Sequence, residues 1–338
     1  MASYAVIADD LTGALDSGAG FAAAGLRAAL PFSGLPADVP CAGVVLINTA
    51  SREGSASAAA TATREASERV RAAGIERVYK KMDSVLRGHP GPELAAVLDV
   101  FRGRALVAPA FPAQGRVTRN GVQYAHGGPV EPFGGFLRDA LEGAATRSDV
   151  RDAETDDDLA QIAREAAGNA AYRVWCGTAG LAKHVPRALG LAARGAPLTL
   201  PIAERVYVIA GTGHPATNAQ LDALHAAKLA GVESVLEGRE YWTRGRPAEE
   251  VSAAIERAAR RLALNARTAL IMTGGETALI ACRTLGAVSI EITGEALPGI
   301  PLGLLSLPGI ICPIATKSGG FGAPDALTKT AERLLGID

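Results

Sequence analysis

Residues 4–18 read YAVIADDLTGALDSG, and this stretch indicates the fold class of the chain. An apolar run, Tyr4–Ala8, leads through two aspartates and a threonine into an alanine-rich segment from Gly13 onward. A short apolar run followed by a polar turn and an amphipathic stretch is typical of a strand that feeds a helix. Repeated units of this kind build parallel α/β folds. We therefore predict a βα unit at the start of the chain.

The same order of strand, polar turn and helix recurs along all 338 residues. Because strands and helices alternate, we predict an α/β fold. We further predict two domains, each a largely parallel sheet flanked by helices. The predicted strands lie at Tyr4–Ala8, Val44–Asn48, Arg77–Lys80, Ala105–Ala108, Arg173–Cys176, Arg205–Ala210, Ala269–Met272 and Ile310–Ile314.

Two domains also follow from the length, at about 150 residues for each domain. The stretch LAARGAPLTLPIAE, residues 191–204, has two prolines and little periodicity, and a fresh strand begins after it. Such a segment indicates a linker between domains. The predicted domains are residues 1–200 and residues 201–338.

Composition and charge exclude several functional classes. The formal net charge is −1, so the chain lacks the basic surplus that nucleic-acid binding requires. No apolar segment approaches the roughly 20 residues of a membrane-spanning helix, and the residues before Asp9 do not resemble a signal peptide. Widely separated cysteines without a CxxC pair indicate reduced core thiols; they are Cys41, Cys176, Cys282 and Cys312. We therefore expect a cytoplasmic protein that binds neither nucleic acid nor membranes.

Two adjacent aspartates at the tip of the first predicted strand form the first candidate site. Asp9 and Asp10 repel each other and lose hydration there, so a purely structural purpose is awkward. One of them can cap the following helix, but a cap needs only one carboxylate. The other is free to bind a hydroxyl, accept its proton or hold a cation. Asp16, in the first helical turns, could point towards the same space.

Cationic residues gather at the tip of another predicted strand, in KKMDSVLRG at residues 80–88. Lys81 and Arg87 suit a carboxylate or a phosphate, which Arg87 could grip through two hydrogen bonds. Two structural interpretations stay open for this turn. It is either a solvated charged loop, or a loop in which Asp83 forms an internal salt bridge with Lys81.

A third turn, APAFPAQGRVTRNG at residues 108–121, runs from a strand into an irregular stretch that contains Arg116. A long irregular loop after a strand is a typical binding element. The residues that follow it, Tyr124 and His126, are consistent with no more than a hairpin.

Three turns in the second half of the chain place glycines and hydroxyl residues between a strand and a helix. Glycine lets the backbone approach a phosphate, and the N–H groups at the start of a helix bind anions. Three such turns in one domain indicate a nucleotide site. They are GTGHPATNAQ at residues 211–220, TGGETA at residues 273–278 and TKSGGFGAPD at residues 316–325.

Neither of two common nucleotide motifs explains all three turns. A P-loop needs a glycine before its Lys-Ser pair, whereas a threonine precedes Lys317. A partial Rossmann fingerprint exists, since Gly211, Gly213 and Ala216 fit GxGxxG/A and Glu233 follows about 20 residues on. That fingerprint keeps an NAD-dependent hydroxy-acid dehydrogenase as an alternative.

Taken in order, these turns resemble those of the four-carbon acid sugar kinase family. The resemblance spans Ala8 to Asp325 and is specific because it links many separated motifs. They are ADDLTGALDSG, KKMDSVLRG, APAFPAQGRVTRNG, DAETDDDLAQIA, GTAGLA, GTGHPATNAQ, TGGETA and TKSGGFGAPD. Members of that family use ATP to phosphorylate the terminal hydroxyl of C4 sugar acids such as threonate, erythronate or 3-oxo-tetronate. The resemblance therefore implies a sugar-acid site in the N-terminal domain and a nucleotide site in the C-terminal domain.

The chain departs from the family pattern in two respects. It looks shorter than is usual, mainly between Pro132 and Ala153 and between Lys228 and Ala269. Thr212 also stands in a turn that is commonly serine-rich in the family. A trimmed substrate domain is compatible with a different acid, and a non-catalytic sugar-acid sensor stays as a further alternative.

Under the kinase interpretation, Asp9 or Asp10 orients the terminal hydroxyl of the substrate and accepts its proton. The other predicted substrate-binding residues are Asp16, Lys81, Asp83, Arg87 and Arg116. The predicted nucleotide-binding residues are Thr212, Gly274, Gly275, Glu276, Thr277, Lys317 and Gly319, with Lys317 near the phosphates. Mg²⁺ is expected to arrive with ATP rather than in a metal site built by the protein alone. The active site would then lie in the cleft between the two domains, and closure about residues 191–204 would bring its two halves together. A homodimer is compatible with the alanine-rich helices.

Overall fold

The computed structural model describes residues 4–33, 43–191 and 198–337. The chain forms two compact units, residues 1–196 and residues 197–338. Cys41 and residues 192–197 of the predicted linker lie outside the described residues. The other cysteines, Cys176, Cys282 and Cys312, are buried free thiols.

The first unit alternates strands and helices as the sequence predicts. Its strands are β1 (Tyr4–Ala8), β2 (Arg27–Pro31), β3 (Gly43–Asn48), β4 (Val78–Lys81), β5 (Arg104–Ala108), β6 (Arg116–Arg119), β7 (Val122–Ala125), β8 (Gly128–Pro129), β9 (Ser148–Val150) and β10 (Tyr172–Gly177). Its helices are α1 (Leu11–Ala23), α2 (Ala56–Ala72), α3 (Pro90–Phe101), α4 (Leu137–Leu141), α5 (Asp156–Ala167), α6 (Ala179–Ala182) and α7 (Val185–Ala188). Short 3-10 turns occupy Pro112–Gln114 and Glu142–Arg147.

The main sheet of this unit is parallel throughout, in the order β2-β3-β1-β4-β10-β5-β9. Ile7 of β1 pairs with Ile47 of β3 on one side and with Lys80 of β4 on the other. All five residues of β1 are fully buried, as is typical of a central parallel strand covered on both faces. The turns after β1, β3 and β4 therefore meet at one edge of the sheet.

A small antiparallel sheet, β6-β7-β8, stands apart from the main sheet. Its turn after β7 contains His126 in the left-handed backbone region, at φ 54°. The predicted hairpin around Tyr124 and His126 is therefore confirmed.

The second unit combines a parallel sheet with an antiparallel ribbon. Its strands are β11 (Arg205–Ala210), β12 (Val232–Glu237), β13 (Thr268–Thr273), β14 (Ser289–Leu297), β15 (Ile300–Leu307) and β16 (Ile310–Lys317). Its helices are α8 (Pro215–Ala227), α9 (Arg239–Thr243), α10 (Ala248–Arg260), α11 (Gly275–Thr284) and α12 (Ala326–Leu335). The strands β12, β11, β13 and β16 run parallel, whereas β15 and β14 continue the sheet in antiparallel fashion.

The predicted α/β fold with helix-flanked sheets is confirmed, and β1 has the predicted bounds. The ribbon β14-β15 is a feature that the alternation of strands and helices does not predict. Its two strands are joined by a tight turn at Pro298 and Gly299, so no helix lies between them to mark them as separate elements. Within the described residues, no helix combines the length and the apolar character that crossing a membrane would need.

Close packing of α1 against α6 yields a test of the fold of the first unit. A Cβ atom on Gly20 of α1 would lie 2.6 Å from the Cα atom of Lys183, at the end of α6. We expect Gly20→Ala to lower the free energy of unfolding by about 1–3 kcal/mol, because backbone rather than a flexible side chain would have to move. Urea denaturation measures the change. Gly168→Ala is the matched control, since nothing lies within 4 Å of a Cβ atom there; an equal loss in both variants would contradict the packing.

Candidate active site

Asp10 caps the first helix. Its Oδ1 accepts a hydrogen bond of 2.9 Å from the backbone N–H of Gly13, and its Oδ2 accepts one of 2.6 Å from the hydroxyl of Thr12. This satisfies one of the backbone donors that the start of a helix leaves without an intrahelical partner. Of the acidic turn, which we define as Asp9 and Asp10, Asp10 therefore has the capping role. A cap does not explain Asp9.

Arg52 forms an ion pair with Asp9, although Arg52 is not among the residues predicted for the site. Its guanidinium donates to Asp9 through Nε at 2.7 Å and through Nη2 at 2.8 Å, which is a bidentate pair. The same Nη2 donates to Asp10 at 2.8 Å and lies 3.8 Å from a carboxylate oxygen of Asp83. Only 12% of the Arg52 side chain is exposed. One buried guanidinium thus gathers the carboxylates of two separate turns.

The backbone holds Arg52 in this position. It belongs to the loop that follows β3, next to β1 in the sheet. The N–H groups of Ser51 and Arg52 donate to the carbonyl oxygen of Asp9, at 3.0 and 3.3 Å. The β3 loop is thereby fixed to the tip of β1.

The charges around Asp9 keep it ionised. Burial pushes the pKa of Asp9 upward, but Arg52, together with Lys80 and Lys81, outweighs burial and holds the pKa below its usual range. The pKa of Asp83 is likewise lowered, since Arg52 and Arg87 outweigh the effect of its burial. Both carboxylates therefore carry a negative charge at neutral pH.

Asp83 organises the turn after β4. It accepts hydrogen bonds from Arg87 at 2.7 and 3.1 Å, and from the backbone N–H groups of Val85 and Arg87 at 3.0 and 3.2 Å. The alternative salt bridge between Asp83 and Lys81 is wrong, because the ion-pair partners of Asp83 are Arg87 and Arg52. The side chain of Arg87 is 54% exposed. Two of its guanidinium nitrogens are bound by Asp83, so the remaining edge of the group is available to solvent.

The two lysines of β4 have different environments, as expected for successive strand residues that point to opposite faces. Lys80 forms a buried ion pair of 2.7 Å with Glu93 of α3. Lys81 is also buried, but its Nζ donates to the carbonyl oxygen of Met82 at 2.8 Å, and none of the described carboxylates forms an ion pair with it. A Cβ atom on Gly13 would lie 3.4 Å from this Nζ, so the ammonium sits beside the first turn of α1. A buried cation next to a helix N-terminus is suited to an anion.

The hairpin of β6 and β7 brings Arg116 to the same edge. Gln123 of β7 donates to the carbonyl oxygens of Ser84 and Pro109, at 3.0 and 3.2 Å, which ties the hairpin to the turns after β4 and β5. Arg116 is buried in β6 and donates to the carbonyl oxygen of Gln114. Burial lowers the pKa of Arg116, while the neighbouring Asp83 favours its charged form.

Most of the predicted substrate residues are thus brought together by the turns after β1, β3, β4 and β5. They are Asp9, Asp10, Lys81, Asp83, Arg87 and Arg116. The remaining one, Asp16, is buried within α1, more than a helical turn beyond the acidic turn. Within the described residues, no group of three or more His, Cys, Asp or Glu side chains is arranged to hold a metal ion.

Three turns of the second unit converge on Thr212. A Cβ atom on Gly319 would lie 3.0 Å from the hydroxyl oxygen of Thr212, and one on Gly274 would lie 3.7 Å from the Cβ of Thr212. Gly274 has φ 104°, which favours glycine, and it is the residue before α11. The N–H groups of Gly275, Glu276 and Thr277 therefore begin a helix beside Thr212. This arrangement is a cradle for an anion.

Lys317 lies beneath this cradle rather than in it. The side chain is fully buried, and Nζ donates to the carbonyl oxygens of Ser318, Gly319 and Phe321, at 2.9, 3.3 and 3.3 Å. It also donates to the hydroxyl of Thr217 at 3.2 Å. Burial lowers the pKa of Lys317 to about 7. These hydrogen bonds from Nζ fix the shape of the turn after β16, which carries Gly319.

The chain matches two family models. One is described as a sugar-binding N-terminal domain and matches residues 4–150, and the other is described as a nucleotide-binding C-terminal domain and matches residues 231–327. Among curated proteins, the D-threonate kinase of Cupriavidus necator is 30% identical over 96% of this chain and 96% of its own length. The 3-oxo-tetronate kinase of Burkholderia multivorans is 27% identical over 98% of this chain and 97% of its own length.

The shortness of the chain relative to these proteins is confirmed. In the alignment with the D-threonate kinase, about 324 residues, which is 96% of 338, are spread over 403 positions. About 79 positions, the difference between 403 and 324, therefore have no counterpart in this chain.

Solved structures share the fold over the whole chain. A Salmonella typhimurium protein described as a tRNA synthase has a TM-score of 0.73 and 21% identity, with 98% of this chain and 99% of that chain covered. A domain of unknown function from Bordetella bronchiseptica, solved with bound citrate as a domain-swapped dimer, has a TM-score of 0.51 and 28% identity, with 98% of each chain covered. The first of these likenesses concerns the fold alone.

Removal of Arg52 tests the charge network. In Arg52→Met the buried Asp9 loses its partner, so we expect the free energy of unfolding to fall by about 3–5 kcal/mol at pH 7. In the wild type the lowered pKa values of Asp9 and Asp83 stabilise the fold fully above the ordinary carboxyl pKa, near 4, and this contribution is lost as the pH falls from there towards the lowered values. In the variant, protonation of Asp9 relieves the buried charge. The gap between the two proteins should therefore narrow between pH 7 and pH 4, as measured by urea denaturation.

The control for this experiment is Arg64→Met, which removes an exposed ion pair with Asp99. Surface pairs of this kind contribute about 0–1 kcal/mol, so the control should change little at either pH. A gap between wild type and Arg52→Met that stays the same from pH 7 to pH 4 would show that Arg52 acts through packing and not through charge.

Proposed function

Since the chain belongs to the four-carbon acid sugar kinase family, we propose that it transfers the terminal phosphoryl group of ATP to the terminal hydroxyl of a four-carbon acid sugar. In this reaction a bond forms between the hydroxyl oxygen and the γ-phosphorus, and the bond from the γ-phosphorus to the bridging oxygen of ADP breaks. The hydroxyl proton passes to a base on the enzyme. The protein mainly positions the reactants and neutralises charge.

The acidic turn beside the buried Lys81 is the observation that carries the proposal for the first unit. It combines carboxylates that can bind hydroxyls with a buried cation that forms no ion pair with any of the described carboxylates. A sugar acid has both complementary groups, namely hydroxyls and one carboxylate. The match of residues 4–150 to a sugar-binding domain supports this assignment.

Asp10 is the better candidate for the base. Both oxygens of Asp9 accept hydrogen bonds from Arg52, and its lowered pKa makes it a weak proton acceptor. Asp10 is 14% exposed, against 3% for Asp9. Among the described residues, its Oδ2 accepts only from the hydroxyl of Thr12, which can rotate. We assign Asp9 and Arg52 to positioning Asp10, and Asp10 to orienting the acceptor hydroxyl and accepting its proton.

The carboxylate of the sugar acid is assigned to Lys81 and Arg116, with the exposed edge of Arg87 available to the carboxylate or to the transferring phosphoryl group. Asp83 acts through Arg87 and Arg52, whose guanidinium groups it contacts. Asp16 is buried in α1 and is assigned no direct contact with substrate.

The nucleotide is assigned to the second unit, in the cradle formed by Thr212, Gly274 to Thr277 and Gly319. The match of residues 231–327 to a nucleotide-binding domain supports this assignment. Lys317 then contributes by holding the turn that carries Gly319, not by contacting the phosphates. Mg²⁺ would be bound by the phosphate oxygens of ATP and would neutralise charge that develops on them. The N–H groups at the start of α11 suit the remaining phosphate charge.

One observation speaks against the dehydrogenase alternative. In a Rossmann fold, the acidic residue that binds the ribose lies at the carboxyl end of the second strand. Glu233 is the second residue of β12, which runs from Val232 to Glu237, so it lies at the opposite end of that strand from the turns. The glutamate paired with the fingerprint is therefore misplaced. The acidic residue at the expected edge is Glu237, and both of its carboxylate oxygens are engaged, by His225 at 2.7 Å and by Arg239 at 2.8 Å.

The location and assembly of the protein stay predictions. A cytoplasmic location is supported by the buried free thiols of Cys176, Cys282 and Cys312. A homodimer is supported by the domain-swapped dimer of the related Bordetella domain.

A coupled assay of ADP release tests the proposed activity. Purified protein, ATP and Mg²⁺ are mixed separately with D-threonate, D-erythronate and 3-oxo-tetronate, the acids named for the relatives. We expect ADP to form with one of these acids or a close stereoisomer. A change in nicotinamide absorbance without ADP would establish the dehydrogenase alternative, and binding of the acid without nucleotide affinity would establish a sensor.

Asp10→Asn tests the assignment of the base. Asparagine caps a helix about as well as aspartate, so the fold of the turn should survive. Turnover should fall by around 10²-fold or more, because an amide cannot accept the proton, while the Kd for ADP stays unchanged. Asp157→Asn, at an exposed position of α5, is the control and should keep full activity. Turnover of Asp10→Asn within about tenfold of the wild type would overturn the assignment.

A further inference from the structure

Trp242 lies beside the proposed nucleotide cradle. It lies on α9, the short helix that follows β12 at the carboxyl edge of the parallel strands. The side chain is 45% exposed, whereas the other tryptophan of the chain, Trp175, is 1% exposed in the first unit. Single exposed apolar residues are common on protein surfaces and need no function. The fixed orientation of this indole is what distinguishes it.

Two contacts anchor the indole to the turn after β11. Its Nε1–H donates to the carbonyl oxygen of Gly211 at 2.9 Å. A Cβ atom on Gly213 would lie only 2.6–2.7 Å from the Cδ1, Cβ and Cγ atoms of Trp242, so the ring packs directly onto this glycine. Gly211 and Gly213 flank Thr212, on which the three turns of the cradle converge. The indole is therefore part of the wall of the same turn.

The base of α9 is also held in place. Arg239, the first residue of α9, forms ion pairs with Asp222 of α8 and with Glu237 at the end of β12. Helix α9, which carries Trp242, is thus linked to α8 and to β12. A rigid aromatic face loses little conformational entropy when a flat ring stacks on it.

We propose that the exposed face of Trp242 is the surface on which the adenine ring of the nucleotide stacks. The ring is apolar and flat, and its N–H is already used by Gly211, so it offers a stacking face and no hydrogen bond to the base. The glycine-rich turns at Gly274 and Gly319 then take the phosphates on the other side of Thr212. This proposal rests on the assignment of the nucleotide to the second unit.

Removal of the ring tests the proposal by calorimetry. We expect Trp242→Ala to weaken binding of ADP by about 5- to 150-fold, the range that loss of one stacked base produces. Trp242→Phe keeps an aromatic face and should recover most of the affinity. Inorganic tripolyphosphate has no base, so its affinity should be the same in the wild type and in Trp242→Ala. Phe136→Ala removes the exposed aromatic side chain of the first unit and should leave the affinity for ADP unchanged.

Fluorescence and kinetics give two further readouts. ADP should change the tryptophan emission of the wild type, and this change should be absent in Trp242→Phe, where only the buried Trp175 remains. In the kinase assay Trp242→Ala should raise the KM for ATP and leave the KM for the acid unchanged.

The possible outcomes distinguish a failure of the stacking proposal from a failure of the proposed function. A wild type that binds no ADP would overturn the nucleotide assignment and the stacking proposal together. If the wild type binds ADP and Trp242→Ala binds it with the same affinity, the stacking proposal alone is overturned. Equal weakening of ADP and tripolyphosphate in Trp242→Ala would also overturn it, because the indole would then only support the phosphate cradle.

Discussion

The guanidinium of Arg52 is the group on which the proposed acceptor site depends. Asp9 and Asp10 at the end of β1, and Asp83 after β4, place three carboxylates at neighbouring strand ends, where burial and mutual repulsion oppose their ionisation. Arg52 supplies a buried positive charge that contacts two of them and lies close to the third. Because its own loop is hydrogen-bonded to the backbone of Asp9, the cation and its partners are held by the same sheet edge.

This arrangement gives adjacent residues different chemistry. Asp9 is bound on both oxygens and is held ionised, so it suits positioning better than proton transfer. Asp10 shares the same guanidinium, caps α1 and is the more exposed of the two. A similar division separates the lysines of β4, since Lys80 is neutralised by Glu93 whereas Lys81 has no such partner among the described residues. Successive side chains on one strand thus serve the core and the site in turn.

Much of the site follows from the sequence because parallel strands end at one edge. A polar turn after an apolar run marks that edge, so Asp9, Lys81 and Arg87 could be grouped without knowledge of the strand order. Arg52 also follows a predicted strand, but its importance depends on β3 lying next to β1, which a single sequence does not reveal. The inward direction of the Lys317 ammonium and the packing of Trp242 on Gly213 depend likewise on contacts between segments far apart in the chain. The ribbon β14-β15 escaped prediction because no helix separates its strands.

The central claim is that the acidic turn of the first unit binds the sugar acid, while the nucleotide binds to the second unit. Calorimetry on Arg52→Lys tests it most directly, because lysine keeps the charge but cannot form the bidentate contact with Asp9. Two titrations are compared with the wild type, one with the acid that supports ADP formation and one with ADP alone. The account predicts that affinity for the acid falls about tenfold or more, as for a disrupted charged hydrogen bond, while the Kd for ADP stays within about twofold. Unchanged binding of the acid, or an equal loss of affinity for ADP, would contradict the account.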